Sequence, residues 1–335
     1  EKLGMTESVE SLVKRMQDRL VHDYANIIRL KPGVYDYLRR LHEAGERLFV
    51  LTASPHCATD VCLQSNGVYD WFEKVWSVED FALFKSDADS YNCYDFSPFK
   101  RDIIKELSDA CRKYGLKFGI YYSQDLDWHE KHGGGYNSEP INCAGVTWEN
   151  SWDFPNKEEK NFEITFRKKI LPQIEEIMTK YGEIALAWFD MPMTLTPAQS
   201  EEIYALVKKH QPNCLVNSRL GNGKYDYVSL GDNEIPDSME AASGEVDFNS
   251  IHGFKPSPYG FYESACTLNK SWGYNSWDHR WKSSETIYKN KKKLNALGIN
   301  YLINIGPDHL GRFPLEAQEI LRGVVTLEEN EGKNQ

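Results

Sequence analysis

One predicted strand ends in an acidic residue whose position suits nucleophilic chemistry. The segment Ile184–Asp190 (IALAWFD) has the apolar pattern of a buried strand, and it ends at Asp190 directly after Trp188 and Phe189. In a parallel α/β barrel, catalytic groups lie at the carboxyl ends of the strands. A carboxylate there, flanked by aromatic rings, is well placed to attack the anomeric carbon of a sugar. The strand pattern alone is equally consistent with Asp190 capping the helix or turn that follows.

A second candidate pair follows another predicted strand. Trp128 and His129 come after Leu116–Tyr122 (LKFGIYY), so they are candidates to line a sugar pocket at the same edge. Packing within the next loop is an equally good interpretation of these two residues.

The composition is that of an ordinary soluble globular protein, and it argues against several functions. The net charge of −11 argues against nucleic-acid binding, which needs a basic surface. No apolar run reaches the roughly 18 residues that indicate a membrane-spanning helix. The seven cysteines form no CxxC pair and lack histidines at zinc-site spacing. We interpret them as small buried apolar side chains rather than as disulfides or metal ligands.

The elements that must position these residues alternate between helices and short apolar strands, which predicts an α/β protein with a parallel sheet or barrel. No internal repeat or long linker interrupts this pattern. The predicted strands are 47–54, 74–79, 116–122, 184–190, 214–219, 261–268 and 299–305. The predicted helices are 8–44 (interrupted at 31–33), 58–65, 100–114, 162–181, 197–210 and 284–297.

Five blocks of sequence, in family order, closely resemble the α-L-fucosidases of glycoside hydrolase family 29. The resemblance extends from about Phe81 to Gly323, and it implies a (β/α)8 barrel. It also implies hydrolysis of terminal α-L-fucose from a fucosylated oligosaccharide or glycoconjugate, with retention, through a covalent intermediate. The blocks are Ser97–Trp128, Lys180–Thr194, Cys214–Tyr227, Glu263–Asn275 and Ile299–Pro314.

The resemblance also implies roles for individual side chains. Asp190, in the family's Trp-Phe-Asp motif, would be the nucleophile. Retention requires a second carboxyl group as acid and then base. Glu234 stands where many members have Thr-Pro-Glu and is our first choice, and Glu263 is the alternative. Arg219 and Trp272, together with Trp188, Trp128 and His129, are the candidates for substrate binding. No metal and no organic cofactor is implied.

Two histidine motifs of the family are missing from the sequence. In the relatives, His-Trp-Gly and His-His-Asp-Gly end early barrel strands and bind fucose hydroxyls, but neither occurs here. Residues 81–335 are therefore expected to form a barrel without its first strands. A remnant that at most binds sugar is the alternative to an active enzyme.

Residues 1–80 resemble a different family, the haloacid-dehalogenase-type phosphohydrolases. Lys31–Ser54 matches the middle of that α/β fold, and Thr52 or Ser54 would match its phosphate-binding position. The nucleophilic Asp-x-Asp motif and the late acidic magnesium motif are absent, so we expect no catalysis from this fragment. Either the two parts are fused near residues 81–87, or strands from the fragment replace the missing barrel strands.

The two ends of the sequence give two further expectations. No signal peptide is visible, although relatives of this type usually act outside the cytoplasm, so by analogy we expect a secreted or periplasmic location. The segment 325–335 (VTLEENEGKNQ) is polar, and we expect it to be a frayed tail. The sequence does not indicate an oligomeric state.

Overall fold

The computed structural model describes residues 9–52, 56–77, 82–97, 99–127, 129–136, 150, 154, 156–242, 256–308 and 310–333. Over these ranges the chain is a mixed α/β protein. The strands are β1 Leu48–Thr52, β2 Phe72–Ser77, β3 Gly119–Ser123, β4 Leu186–Asp190, β5 Leu215–Val216, β6 Val228–Ser229, β7 Tyr262–Thr267 and β8 Ile299–Asn304. The helices are α1 Val9–Asn26, α2 Val34–Glu43, α3 His56–Ser65, α4 Ile103–Lys113, α5 Phe162–Thr165, α6 Leu171–Lys180, α7 Pro197–His210, α8 Met239–Ala242, α9 Ser284–Ala296 and α10 Leu315–Lys333. None of the helices in the described ranges is long and apolar enough to cross a membrane.

The chain divides into two compact units. The first contains residues 1–106, 125–138 and 147–173, and the second contains residues 107–124, 139–146 and 174–335. The domain boundary expected near Phe81 lies at the edge of a stretch outside the described residues and stays a prediction.

The first unit contains a β-α-β arrangement. Strands β1 and β2 pair in parallel, with Val50 opposite Val75, and α3 connects them. The side chain of Asn66, just after α3, accepts a hydrogen bond from Leu30 N at 3.1 Å and donates to Ile28 O at 3.2 Å. The order β1-α3-β2 confirms the strand-helix-strand order predicted from the sequence, and the strand ends lie within about two residues of the predicted positions.

A buried ion-pair cluster lies in the same unit. Lys169 is on a π-helical turn, Phe166–Ile170, between α5 and α6. Its Nζ lies 2.6 Å from Asp89 Oδ2 and 2.5 Å from Asp127 Oδ2. All three side chains are largely buried, so each charge depends on its partners for the solvation that water would otherwise provide.

Within its described residues, the second unit contains six parallel strands in two three-stranded sheets. One sheet has the order β3-β4-β5 and the other β6-β7-β8. A parallel bridge between Asn217 and Tyr227 connects β5 with β6. The buried side chains of Trp188, Tyr227 and Ala265 form one apolar cluster that spans both sheets. The carboxyl ends of the six strands form the edge at which the sequence predicted the catalytic carboxylate, Asp190.

Local sequence signals explain where the helices of this unit begin. Helix α7 starts with a capping box, in which Thr196 accepts a hydrogen bond from Gln199 N and the Gln199 side chain accepts one from Thr196 N, with Pro197 in the first turn. Helix α9 starts at Ser283, whose side chain accepts a hydrogen bond from Thr286 N. These signals fix both starts at the positions predicted from the sequence.

The polar C-terminal segment is helical, so the expected frayed tail is wrong. Helix α10 continues to Lys333, and its acidic residues Glu328 and Glu331 form ion pairs with Lys291 and Lys292 of α9. The apolar side of α10 also contributes Val324 to a buried cluster. These tertiary contacts stabilise a segment whose own composition did not indicate packing.

We expect the change Lys169→Met to destabilise the protein by about 3 kcal/mol or more at pH 7, because it leaves two buried carboxylates without a counter-ion. Urea denaturation followed by circular dichroism measures this loss. Lys168→Met is the matched control, since Lys168 is its exposed neighbour. The double change Asp89→Asn and Asp127→Asn in the Lys169→Met background should recover part of the loss. An equal effect of the two lysine substitutions would contradict a buried ion-pair role.

Candidate active site

Asp190 lies at the carboxyl end of β4, where the backbone turns sharply. The next residue, Met191, has a φ angle of 61°, a left-handed conformation that non-glycine residues seldom adopt. Such local strain is concentrated at functional sites, where the surrounding structure maintains it. The turn ends the strand immediately after Asp190, so the carboxylate lies at the edge of the sheet.

Two side-chain amides hold the ends of the neighbouring strands in place. Asn217 accepts a hydrogen bond from Phe189 N at 2.8 Å and donates to Phe189 O at 2.9 Å. Gln124 accepts from Asp190 N at 2.9 Å and donates to Arg219 O at 3.2 Å. Both amides are buried. They extend the sheet hydrogen bonding beyond the last ladder pairs and fix the backbone that carries Asp190 and Arg219.

Arg219 is the centre of the site. It belongs to a short 3-10 turn after β5 and is only 1% exposed. Its Nη1 lies 3.5 Å from Asp190 Oδ1, and its Nη2 lies 2.7 Å from Asp232 Oδ1. Nη2 also donates to Leu230 O at 2.8 Å. A single rigid guanidinium therefore contacts two carboxyl groups, one at the end of β4 and one in the loop after β6.

Two aromatic rings complete the surroundings of Asp190. The Tyr121 hydroxyl on β3 donates to Asp190 Oδ2 at 3.1 Å. The Tyr121 ring stacks on Trp188 with ring centres 5.4 Å apart, and the Arg219 guanidinium lies 4.8 Å from the Trp188 ring centre. Trp188 and Asp190 point to the same face because side chains alternate along a strand. The tryptophan ring thus supports both partners of the carboxylate.

Glu263 is buried on the other side of Trp188. It is near the start of β7 and 3% exposed. Its Oε1 accepts hydrogen bonds from Trp188 Nε1 at 2.6 Å and from Ser229 Oγ at 3.1 Å. The same carboxylate oxygen therefore fixes the orientation of the tryptophan ring.

The loop after β6 carries Asp232, Asn233 and Glu234. Glu234 Oε2 accepts from Gly231 N at 2.8 Å, so this carboxylate bonds within its own loop. Asn233 Oδ1 accepts from Thr267 N at 3.0 Å, which attaches the loop to the end of β7. Asp232 is about half exposed, with 44% of its side chain accessible. It is the acidic residue of this loop that contacts Arg219.

The remaining sequence-predicted residues lie in different places. Trp272 is exposed in the loop after β7, and its carbonyl accepts a hydrogen bond from Asn304 Nδ2 at 2.6 Å. His129 is in the first unit, where its ring stacks on Tyr91 with ring centres 4.1 Å apart. Trp128 lies outside the described residues. The structure thus brings Asp190, Trp188, Arg219 and Glu263 together in one network.

Burial shifts the acidity of the two buried carboxyl groups in the same direction. It raises the pKa of Asp190 above its ordinary value, and Arg219 opposes this rise while Asp232 adds to it. It also raises the pKa of Glu263, against the hydrogen bonds from Trp188 and Ser229. In both cases desolvation of the charged form is the larger effect. Perturbed carboxyl groups of this kind are concentrated at functional sites.

Two members of the network, Tyr121 and Asp232, are absent from the sequence-based candidates. The sequence does contain a signal for Tyr121. Side chains alternate along a strand, so Tyr121 lies on the same face of β3 as Ser123, and Ser123 pairs with Asp190. Asp232 has none, since nothing in the loop sequence distinguishes it from Glu234. Over the described ranges, no group of three or more His, Cys, Asp or Glu side chains is arranged to hold a metal ion.

Comparisons with family models, solved structures and curated proteins all match the same family. The α-L-fucosidase family model matches residues 78–332. The α-L-fucosidase AlfC from Lactobacillus casei, solved with its α-L-fucose product, is 53% identical, with 78% of this chain and 77% of that chain covered and a TM-score of 0.69. The α-L-fucosidase from Vibrio sp. strain EJY3 is 26% identical over 94% of this chain and 47% of that chain, with a TM-score of 0.62.

A more distant relative comes from Caenorhabditis elegans. This α-L-fucosidase candidate is 25% identical over 258 residues, which is 73% of this chain and 45% of the relative. The chain thus spans less than half the length of that curated relative. Since the family model covers most of the chain, and the L. casei enzyme shares about half of the aligned residues, the chain belongs to the α-L-fucosidase family.

Proposed function

We propose that the chain is a retaining α-L-fucosidase that removes terminal α-L-fucose from oligosaccharides or glycoconjugates by double displacement. The observation that carries this proposal is the pair of carboxyl groups, Asp190 and Asp232, on one Arg219 guanidinium. Retaining glycosidases need two carboxyl groups about 5–5.5 Å apart, one as nucleophile and one as acid and base. Two carboxylates bound to neighbouring nitrogens of one fork are compatible with that separation.

Asp190 is the nucleophile in this mechanism. Its Oδ2 is held by Tyr121 and its Oδ1 faces Arg219, so the carboxylate is fixed before substrate binds. Attack on the anomeric carbon breaks the bond to the leaving oxygen and forms a fucosyl ester. Arg219 keeps the pKa of Asp190 lower than burial alone would set it, and this favours the ionised form needed for attack.

Asp232 is our choice for the acid and base. It is half exposed, so it can reach a leaving oxygen and later a water molecule, whereas Glu263 is buried with Oε1 bonded to Trp188 and Ser229. Glu234 is bonded to its own loop. Asp232 would protonate the leaving oxygen, then remove a proton from the water that hydrolyses the fucosyl ester. Glu263 acts in this scheme as a positioning residue for Trp188.

Variants of the L. casei enzyme support this arrangement. Its solved forms include an aspartate-to-alanine variant with Fucα(1,6)GlcNAc bound, and asparagine and glutamate variants described as fucosyltransferase mutants. In the L. casei enzyme the asparagine follows the aspartate by 43 residues, and in this chain Asn233 follows Asp190 by the same number. The glutamate follows the aspartate by 74 residues in that enzyme, and Glu263 follows Asp190 by 73 residues in this chain. The match supports Asp190 as the counterpart of that aspartate, and Asn233 and Glu263 as neighbours of the chemistry.

The finer architecture also belongs to this proposal. Residues 81–335 would form a (β/α)8-type barrel without its first strands, and residues 1–80 a haloacid-dehalogenase-like fragment without catalysis. The start of the family match at residue 78 supports a change of origin near that point. Action outside the cytoplasm stays a prediction. The missing histidine motifs favour the second candidate, a remnant that binds fucose without turnover.

The first test uses 4-nitrophenyl α-L-fucoside with the purified chain and the variant Asp190→Ala. We expect release of 4-nitrophenol by the parent and a loss of about three orders of magnitude or more in the variant, because the covalent step is removed. Azide should then restore turnover and yield the inverted β-fucosyl azide. Asp237→Asn, at an exposed carboxylate, is the matched control. Absence of turnover by folded parent protein that still binds fucose would favour the remnant.

The second test assigns the acid and base with the variants Asp232→Asn, Glu234→Gln and Glu263→Gln. With a nitrophenyl leaving group the first step needs little protonation, so Asp232→Asn should slow mainly the hydrolysis of the intermediate. Azide should accelerate this variant and yield the retained α-fucosyl azide. The same rescue in Glu234→Gln or Glu263→Gln, and not in Asp232→Asn, would transfer the assignment to that glutamate.

The third test concerns pH. We expect Arg219→Met to raise the pKa of Asp190, because a positive charge beside the carboxylate is lost. Since the protonated carboxyl cannot attack, the acid limb of the kcat/KM profile should move to higher pH by about one pH unit or more. Arg219→Lys, which keeps a charge, should move it less, and the exposed control Arg322→Met should not move it. An unchanged acid limb in Arg219→Met would contradict the role given to this guanidinium.

A further inference from the structure

The loop between β7 and α9 exposes several aromatic rings to solvent. Trp277 is 88% exposed, Tyr274 is 48% exposed and Trp272 is 40% exposed. Exposing an indole ring to this extent leaves a large apolar surface in contact with water, although tryptophan is among the residue types most buried on average. The site described above does not use Trp277.

A buried carboxylate holds this loop in a defined conformation. Asp278 is 3% exposed, and its Oδ2 accepts hydrogen bonds from Lys270 N and Ser271 Oγ, both at 2.8 Å. Its Oδ1 accepts from Arg280 N at 3.2 Å and from Arg280 Nε at 3.0 Å. These hydrogen bonds lower the pKa of Asp278 well below its ordinary range, although burial opposes the shift. The neighbouring Trp277 ring is therefore presented by a fixed backbone.

The loop lies at the edge of the sheets that carries Asp190. It follows the carboxyl end of β7, and Asn304 at the carboxyl end of β8 donates to Trp272 O at 2.6 Å. Gly306 has no room for a side chain, since a Cβ there would be 2.5 Å from Tyr274 N. Because parallel strands end at the same edge, the loop and Asp190 belong to one face of the second unit.

We propose that Trp277 and the side chain of Arg280 form a binding site for the sugar to which the fucose is attached. This inference rests on the proposed function and deepens it by naming the side chains that would contact the leaving sugar. An indole ring covers the apolar face of a pyranose, and a guanidinium donates to its hydroxyl groups.

The composition of the loop favours a sugar over a second copy of the chain. A stable dimer buries roughly 800 Å² on each partner around an apolar centre. Here, Asn275, Ser276, His279 and Arg280 flank Trp277 in the sequence, and all four are exposed. A single indole ring with polar neighbours matches the size of one monosaccharide, not that of a dimer interface.

The experiment compares two substrates. α-L-Fucosyl fluoride has no sugar as leaving group, whereas Fucα(1,6)GlcNAc does. We expect Trp277→Ala to lower kcat/KM for the disaccharide by about tenfold, through loss of the stacked ring, and to leave the fluoride within about twofold. Trp277→Phe should retain most of the disaccharide activity. Tyr259→Ala is the control, because Tyr259 is 64% exposed but precedes β7, at its other end.

Several outcomes would overturn the inference. Equal losses for both substrates would mean that Trp277 acts on the fucose site, and no loss for either would mean that the ring does not contact the leaving sugar. A change in sedimentation velocity caused by Trp277→Ala would assign the ring to a contact between copies. If the parent protein hydrolyses neither substrate, the proposed hydrolase function is contradicted, but the binding site for the leaving sugar is not yet tested. Titration calorimetry with the intact disaccharide then tests the site, because Trp277→Ala should weaken binding about tenfold and an unchanged affinity would reject it.

Discussion

The site depends on one buried guanidinium. Arg219 is removed from water, and a positive charge in that environment requires compensation by anions and hydrogen-bond acceptors. Asp190, Asp232 and the carbonyl of Leu230 provide it. The same contacts bring the carboxyl group at the end of β4 and the one in the loop after β6 close together. A single arrangement thus offsets the cost of burying the arginine and places together the two carboxyl groups that the proposed double displacement needs.

This arrangement has a supporting layer that carries no charge. Gln124 and Asn217 hold the strand ends, and Trp188 lies between the guanidinium and Glu263. Because the amides bond to backbone atoms and the ring is itself hydrogen-bonded, Asp190 has little freedom to relax away from Arg219. Preorganisation of this kind removes the cost of reorganising the site during the reaction.

The sequence could predict only part of this site. Asp190 ends a strongly apolar strand, so the local pattern placed it at a strand end, but its expected role as nucleophile came from the family resemblance. The local pattern also located the start of α7. Asp232 could not be chosen, because its role arises from a tertiary contact with Arg219. The helical C-terminal segment was missed for the same reason, since its acidic side chains are stabilised by lysines of α9. Local sequence patterns indicate which residues are buried and where helices are capped, whereas ion pairs between residues distant in the sequence depend on the fold.

The distribution of burial among the acidic residues explains why they can have different tasks on one scaffold. Glu263 and Asp190 are both desolvated, yet Glu263 is held by neutral donors and Asp190 faces a cation. Neutral donors hold a carboxyl group as a fixed acceptor, while a nearby cation favours the ionised form of its partner and opposes the effect of burial. Asp232 shares that cation but remains in contact with water, as the role proposed for it requires. In the proposed mechanism, differences in environment, rather than in residue type, separate the nucleophile, the acid and base, and the residue that positions the tryptophan.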